Sequence, residues 1–208
     1  MWNKLKEQFN LLKLEKRKLY LITNSDKFLS KELFLDAIAS ALQGGVDVIR
    51  LNETQMPDNV YVDLGRKIRI LCDEFGATFI INNRCDIARI VEADGVHLDE
   101  NSVCIDDARE VLGENAIVGH TVHTPEGAVS AFNEGADYIT LDFEGTNSED
   151  IQWINDNIDI PAFITGDFNP ENVSSVVQLG VRRIAITNPI MYAQVPEKTA
   201  RDFLRFLP

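Results

Sequence analysis

Residues 116–143, AIVGHTVHTPEGAVSAFNEGADYITLDF, hold a complete strand, helix and strand. Ala116–Val122 is a short, β-branched apolar run of strand type. Thr124 then offers a hydroxyl at a helix N-cap, Pro125 suits the first helical position and Glu126 puts an acid in the first turn. Gly135 stands where a helix ends on a left-handed residue, and Tyr138–Phe143 is the next apolar run. Two strands joined by a helix are a parallel crossover, because antiparallel neighbours need only a tight turn.

The same unit recurs on both sides. Asn169-Pro170-Glu171 repeats the cap and proline device with Gly180 behind it, and Gly44-Gly45 closes a helix before another strand. Strands are predicted at Leu19–Thr23, Val46–Asn52, Thr78–Asn83, Gly95–Asp99, Ala116–Val122, Tyr138–Phe143, Ala162–Phe168 and Arg183–Asn188. Successive starts lie about 23 residues apart, enough for a strand, a helix and two short loops. Eight such units admit a closed barrel or an open doubly wound sheet. No GxGxxG follows the first strand and no linker splits the chain, which selects an α/β fold with a single (β/α)8 TIM barrel over residues 19–208.

Residues 1–18 precede the repeat. Trp2, Leu5, Phe9 and Leu12 fall at helical spacing among Lys4, Lys6, Lys13, Lys16, Arg17 and Lys18, predicting an extra N-terminal amphipathic helix that covers a barrel end or flank. The whole chain of 208 residues carries 20 basic and 33 acidic side chains, a net charge of −13, so nucleic acid is excluded as a partner. No apolar run approaches the roughly 20 residues of a membrane span, which excludes the membrane. Cys72, Cys85 and Cys104 are odd in number and lack a CxxC pair. They read as reduced, buried thiols of a cytoplasmic protein. A homo-oligomer stays open.

In a barrel, inward residues are apolar low in each strand and turn polar only at its carboxyl end, where the loops build the site. With Ile49 and Leu51 facing the helices, Arg50 and Asn52 point inward. With Ile80 inside, Asn82 and Arg84 follow. The same alternation sends His97 and Asp99, Thr121 and His123, Thr140 and Asp142, and Thr165 and Asp167 to the mouth. A ring this polar is costly to bury without ligand or water, and marks that face as the candidate site. Asp99, Asp142 and Asp167 on one rim would repel one another unless spread into water, salt-bridged or bridged by a hard cation such as Mg²⁺.

These residues resemble the thiamine phosphate synthase and thiazole tautomerase family. The resemblance is carried by Leu19-Tyr20-Leu21-Ile22-Thr23, Gly44-Gly45-Val46, Ile81-Asn82-Asn83-Arg84-Cys85-Asp86-Ile87-Ala88, Ala93-Asp94-Gly95-Val96-His97-Leu98, Val122-His123-Thr124 and Gly135-Ala136-Asp137-Tyr138-Ile139. It implies a (β/α)8 barrel that binds a small phosphate ligand. The synthase joins a pyrimidine diphosphate to a thiazole phosphate and releases pyrophosphate with Mg²⁺. The tautomerase isomerises a thiazole carboxylate phosphate by proton transfer.

Carried across residue by residue, the resemblance fits unevenly. The family's Gln-Leu-Arg-Glu-Lys is here Arg50-Leu51-Asn52-Glu53-Thr54, so Asn52 and Thr54 replace two cations that hold pyrophosphate. Asn83 and Ser102 stand where metal-binding aspartates are expected. The loop that closes over substrate is here Asp142-Phe143-Glu144-Gly145-Thr146. The phosphate turns read Thr165-Gly166-Asp167 and Thr187-Asn188-Pro189, leaving Gly166, Asn188 and Asn169 to bind. His123 matches the tautomerase pattern and has the pKa range for moving a proton.

The expectation is therefore catalysis by His123, with Arg50, Asn52, Asn82, Arg84, Thr121, Thr165, Gly166 and Asn188 binding substrate and Asp99, Asp142 and Asp167 as candidate metal ligands. Isomerase chemistry of the tautomerase type is favoured over transferase chemistry. The alternatives are an active synthase or a noncatalytic barrel.

Overall fold

The structure is a computed structural model that describes residues 14–53 and 55–208. Of the N-terminal helix predicted over residues 1–18, residues 1–13, like Thr54, lie outside the described residues; Leu14 and Glu15 are helical. Eight parallel strands close into a barrel in sequence order: β1 Leu19–Ile22, β2 Val48–Leu51, β3 Thr78–Asn82, β4 Gly95–Leu98, β5 Ile117–Thr121, β6 Tyr138–Asp142, β7 Ala162–Thr165 and β8 Ile184–Ile186. Around them lie α1 Lys31–Gln43, α2 Asp58–Phe75, α3 Cys85–Ile90, α4 Ile105–Leu112, α5 Pro125–Asn133, α6 Ser148–Asn157, α7 Val173–Val177, α8 Asn188–Met191 and α9 Pro196–Leu204. No helix among the described residues is long and apolar enough to cross a membrane.

The period of two along each strand divides the core. Leu19, Leu21, Ile49, Leu51, Phe79 and Ile81 face outward and pack under the helices in one large apolar layer. Tyr20, Val48, Ile80, Ile117, Tyr138, Phe163 and Ala185 face inward and fill the barrel, with Leu14 buried among them. The rings of Tyr20 and Tyr138 meet Phe163 edge-on at 5.2 and 5.8 Å between centroids. This is a packed interior, and it leaves only the strand ends for chemistry.

Local sequence explains the boundaries. Thr124 caps α5 by accepting the Gly127 N–H, and Gly135 follows the helix at φ 89°, the left-handed conformation that costs glycine least. The matching device at Asn169 works differently: its side chain accepts from the N–H groups of Glu171 and Asn172, closing a turn, and α7 begins only at Val173. An Asx turn has captured the donors that a helix start needs. Cys72 and Cys85 are buried as expected. Cys104 is exposed, its sulfur capping α4 through the Asp107 N–H.

An aspartate precedes three of the even strands and ties each to the odd strand before it. Asp47 accepts from the N–H groups of Lys18 and Leu19 at 2.8 and 3.1 Å. Asp94 accepts from Phe79 N–H and pairs with Arg69, while Asp137 accepts from Val118 N–H and pairs with Arg109. At the fourth such position Arg183 donates to the Glu15 carbonyl instead.

Among the described residues Asp47 forms no ion pair of the Arg69 or Arg109 kind, and burial raises its pKa from 3.8 to about 6. A folded-state pKa above the unfolded value means that the native protein binds the extra proton. Stability contributed here is full below pH 4 and falls as the pH rises towards 6, by roughly 3 kcal/mol. Asp58, Asp63, Asp86 and Asp99 are shifted downward and act below pH 4, outside this window. Urea denaturation of wild type and Asp47→Asn between pH 4 and 7 is expected to show the wild type losing stability relative to the variant as the pH rises towards 6; buried neutral His97, whose contribution grows with pH, and Asp142 act alike in both proteins and cancel in the difference.

Candidate functional site

Arg50 is the cation the fold sets deepest in the mouth. It lies on the inward face of β2, two residues above buried Val48, close enough to Tyr20, Tyr138 and His97 to shift all three electrostatically. Its Nε is buried and has no hydrogen-bond partner among the described residues. On the neighbouring β3, Asn82 is 4% exposed and its Oδ1 is also unpartnered. A buried donor and a buried acceptor left open on adjacent strands of the mouth are costly unless a polar ligand meets them. Asn52 stands half-buried above Arg50, with its backbone N–H held by Thr23 Oγ1 at 3.1 Å.

Glu53 organises this side of the rim. It is 7% exposed and accepts from Thr23 Oγ1 at 2.9 Å and from Ser25 Oγ at 2.6 Å, clamping the loop after β1 to the end of β2. Nothing in the strand pattern marks it, since an acid just past a strand end reads as a solvated loop residue. The clue was its fixed place after Arg50-Leu51-Asn52.

Across the mouth, Thr121 sits half-buried at the end of β5, and His97, which alternation sent towards the mouth, is fully buried below it. Burial and the charge of Arg50 hold His97 well below the usual imidazole range, so the ring is neutral. His120 faces the other way and bonds the Thr121 carbonyl. His123 lies on the exposed rim, where its charge acts on Asp142 at the end of the adjacent strand.

Other expected residues are committed elsewhere. Arg84 begins α3 at the surface and is shared between Asp58 at 2.8 Å and both oxygens of Asp86 at 2.9 and 2.7 Å, so its cation is already neutralised. Thr165 Oγ1 donates to the Leu141 carbonyl. Gly166 is backed by the Phe168 ring. Asn188 begins the short α8, and its Oδ1 accepts from the Asn24 side chain at 3.3 Å.

Asp99, Asp142 and Asp167 are not gathered into one ligand set, and among the described residues no group of three or more His, Cys, Asp or Glu is arranged to hold a metal ion. Asp99 instead joins Asn83 and Ser102 in a closed knot: Asn83 Nδ2 and Ser102 Oγ both donate to its carboxylate, with Ser102 Oγ also 2.8 Å from Asn83 Oδ1. Asn83 reaches it from a left-handed backbone, φ 57°, which asparagine tolerates. Asp142 is pushed upward by burial and then by Glu144, whose carboxyl shares its space. Glu144 in turn accepts the backbone N–H of Asp167 at 3.1 Å, taking up the donor that follows Gly166.

Glu144 thus holds a carboxylate where the loop after β7 offers an N–H to an anion. Glu144→Gln removes the competing charge. It is expected to tighten binding of inorganic phosphate about fivefold by calorimetry, and to return Asp142 towards the ordinary carboxylate range in an NMR titration.

A closed parallel barrel with Arg50, Asn52, Asn82 and Thr121 gathered at the carboxyl ends of its strands is a (β/α)8 protein of the kind that binds its ligand at that face. The family model described as thiamine monophosphate synthase matches residues 19–190, and the chain belongs to that family. It is 31% identical to the thiamine-phosphate synthase of Haloquadratum walsbyi over 88% of this chain and 87% of that one. It is also 31% identical to the thiamine-phosphate synthase of Synechococcus over 94% of this chain but only 58% of that longer protein. Among solved structures, thiamine phosphate pyrophosphorylase from Pyrococcus furiosus superposes with a TM-score of 0.83 at 27% identity, covering 97% of this chain and 96% of that one. 3-Hexulose-6-phosphate synthase, at 14% identity and a TM-score of 0.69, shares the fold.

Proposed function

We propose that the barrel mouth carries transferase chemistry of the thiamine-phosphate synthase type: a pyrimidine diphosphate loses pyrophosphate as its methylene carbon bonds to the nitrogen of a thiazole phosphate. The observation that carries this reading is Arg50, an inward cation with a buried, open Nε on the floor of the mouth. The family pattern puts its cations at the positions of Asn52 and Thr54. This chain moves a cation two residues down the same inward face, where it can still meet charge developing on a leaving pyrophosphate.

The expectation of tautomerase chemistry gives way here. The relatives cited above carry synthase names, and His123 is an exposed rim residue beside Asp142. Mg²⁺, which neutralises pyrophosphate in the family's reaction, would meet the protein at the Asn83, Asp99 and Ser102 corner, where oxygen atoms of three side chains gather. Its one carboxylate, Asp99, already accepts from Asn83 Nδ2 and Ser102 Oγ, so a cation there would have to turn those donors away and take most of its ligands from substrate phosphates and water.

Incubating purified protein with pyrimidine diphosphate, thiazole phosphate and Mg²⁺ is expected to yield thiamine phosphate and pyrophosphate in equal amounts. Absence of both products, with isomerisation of a thiazole carboxylate phosphate by the same preparation, would overturn the proposal.

A further inference from the structure

Five polar side chains form a continuous line through the barrel interior. Tyr20 Oη lies 2.9 Å from Tyr138 Oη, which lies 3.0 Å from His97 Nδ1. His97 Nε2 is 2.9 Å from Thr121 Oγ1 and 3.3 Å from Thr140 Oγ1, and the two hydroxyls are 3.2 Å apart. Tyr20, Tyr138, His97 and Thr140 are at most 2% exposed, whereas Thr121 is half-buried at the mouth. The sequence singled out Thr121 but left the line beneath it unread.

The direction of the protons along this line follows from what each group can do. A guanidinium has donors and no acceptor. Arg50 follows Val48, the cross-strand partner of Tyr20, on the same inward face, and its charge favours the Tyr20 oxygen turned towards it with the hydrogen turned away, onto Tyr138. Tyr138 must then donate to His97 Nδ1. A neutral imidazole carries one N–H, so the proton sits on Nε2 and is given to Thr121. Thr140, closed off from solvent, has Thr121 Oγ1 as its hydroxyl neighbour and donates there too. Thr121 then accepts twice, both its lone pairs are filled, and its own hydrogen is left to point outward.

We infer that Tyr20, Tyr138 and His97 are positioning residues: a one-way hydrogen-bond line, polarised by Arg50, that fixes the His97 tautomer and presents the Thr121 hydroxyl to the mouth as a donor for an anionic oxygen of the ligand. The reverse polarity would aim the Tyr20 hydrogen at a cation. The site thus discriminates for an acceptor at this point and against a donor, because a ligand N–H or O–H there meets a hydrogen. Only the identity of the ligand rests on the proposed function; the polarity belongs to the free protein.

Long-range ¹H–¹⁵N spectra of histidine-labelled protein read the polarity directly. His97 is expected as the Nε2–H tautomer at neutral pH in wild type, and as a mixture in Arg50→Gln, where the amide can donate or accept. An Nδ1–H tautomer in wild type would overturn the inference. Thiamine phosphate is the binding probe. Tyr138→Phe, which keeps the ring, and Thr121→Val are each expected to weaken its binding about tenfold, while Thr121→Ser retains wild-type affinity. Unchanged affinity in Tyr138→Phe and Thr121→Val also overturns it. Wild-type protein that fails to bind thiamine phosphate yet shows the Nε2–H tautomer, lost in Arg50→Gln, sinks the proposed function and upholds the line.

Discussion

Arg50→Met is expected to lower affinity for phosphate-bearing ligands at least 100-fold while leaving the free protein as stable as wild type, or more so. Both halves follow from one fact: the fold holds a guanidinium among Tyr20, Tyr138 and His97 with its Nε unpartnered. Desolvating a cation without full hydrogen bonding costs several kcal/mol, and methionine fills much of the same volume with no such penalty. What the empty protein loses in stability is returned when an anion arrives. A desolvated charge pair of this kind costs about 2–5 kcal/mol when one partner is deleted, which covers the 100-fold loss.

Arg50→Lys separates charge from shape. Lysine keeps the positive charge but has no planar fork and no Nε–H to offer the ligand, so binding is expected to recover only in part. Thermal unfolding and calorimetry with thiamine phosphate measure both quantities. A variant that is strongly destabilised, or that binds as wild type does, contradicts this account of Arg50.

The barrel was legible because its two periods are local. Strand alternation and helix punctuation each need only a few residues, so every strand from Leu19 to Ile186 lies within its predicted span. Alternation also told which way Arg50, Asn82, His97 and Thr121 face. It carries no information about azimuth around the barrel: Asp99, Asp142 and Asp167 all belong to inward ends, yet β4, β6 and β7 place them around an arc, and each finds a different local partner. Partners distant in sequence were equally hidden. Arg84 is claimed by Asp58 from the start of α2, and Glu53 by Thr23 and Ser25 from the loop after β1. Such ion pairs and clamps depend on loop geometry, which no period encodes.

The second large effect joins fold to site at Gly119. This residue faces inward on β5, and a Cβ there would stand 2.1 Å from Cζ, 2.2 Å from Cε1 and 2.6 Å from Oη of Tyr138. The ring cannot retreat, because it is fully buried and packed against Tyr20 and Phe163 at centroid distances of 5.9 and 5.8 Å. Gly119→Ala is therefore expected to cost about 3 kcal/mol or more, since overpacking a rigid core forces backbone shifts. For a chain of this size that lowers the midpoint of thermal unfolding by roughly 6–12 °C. The displaced Tyr138 hydroxyl also leaves His97 Nδ1, so the variant is expected to lose the single His97 tautomer along with ligand affinity. Gly135→Ala serves as the control: open space surrounds that position and only the left-handed φ of 89° opposes the methyl group, at about 1 kcal/mol with the site intact. Adding Tyr138→Leu to Gly119→Ala removes the clash but not the broken hydrogen-bond line. The double variant is expected to be more stable than the two single losses predict and to bind no better than Gly119→Ala alone. Recovery of affinity with stability would mean that Gly119 serves packing only and that the hydroxyls above it play no part in binding.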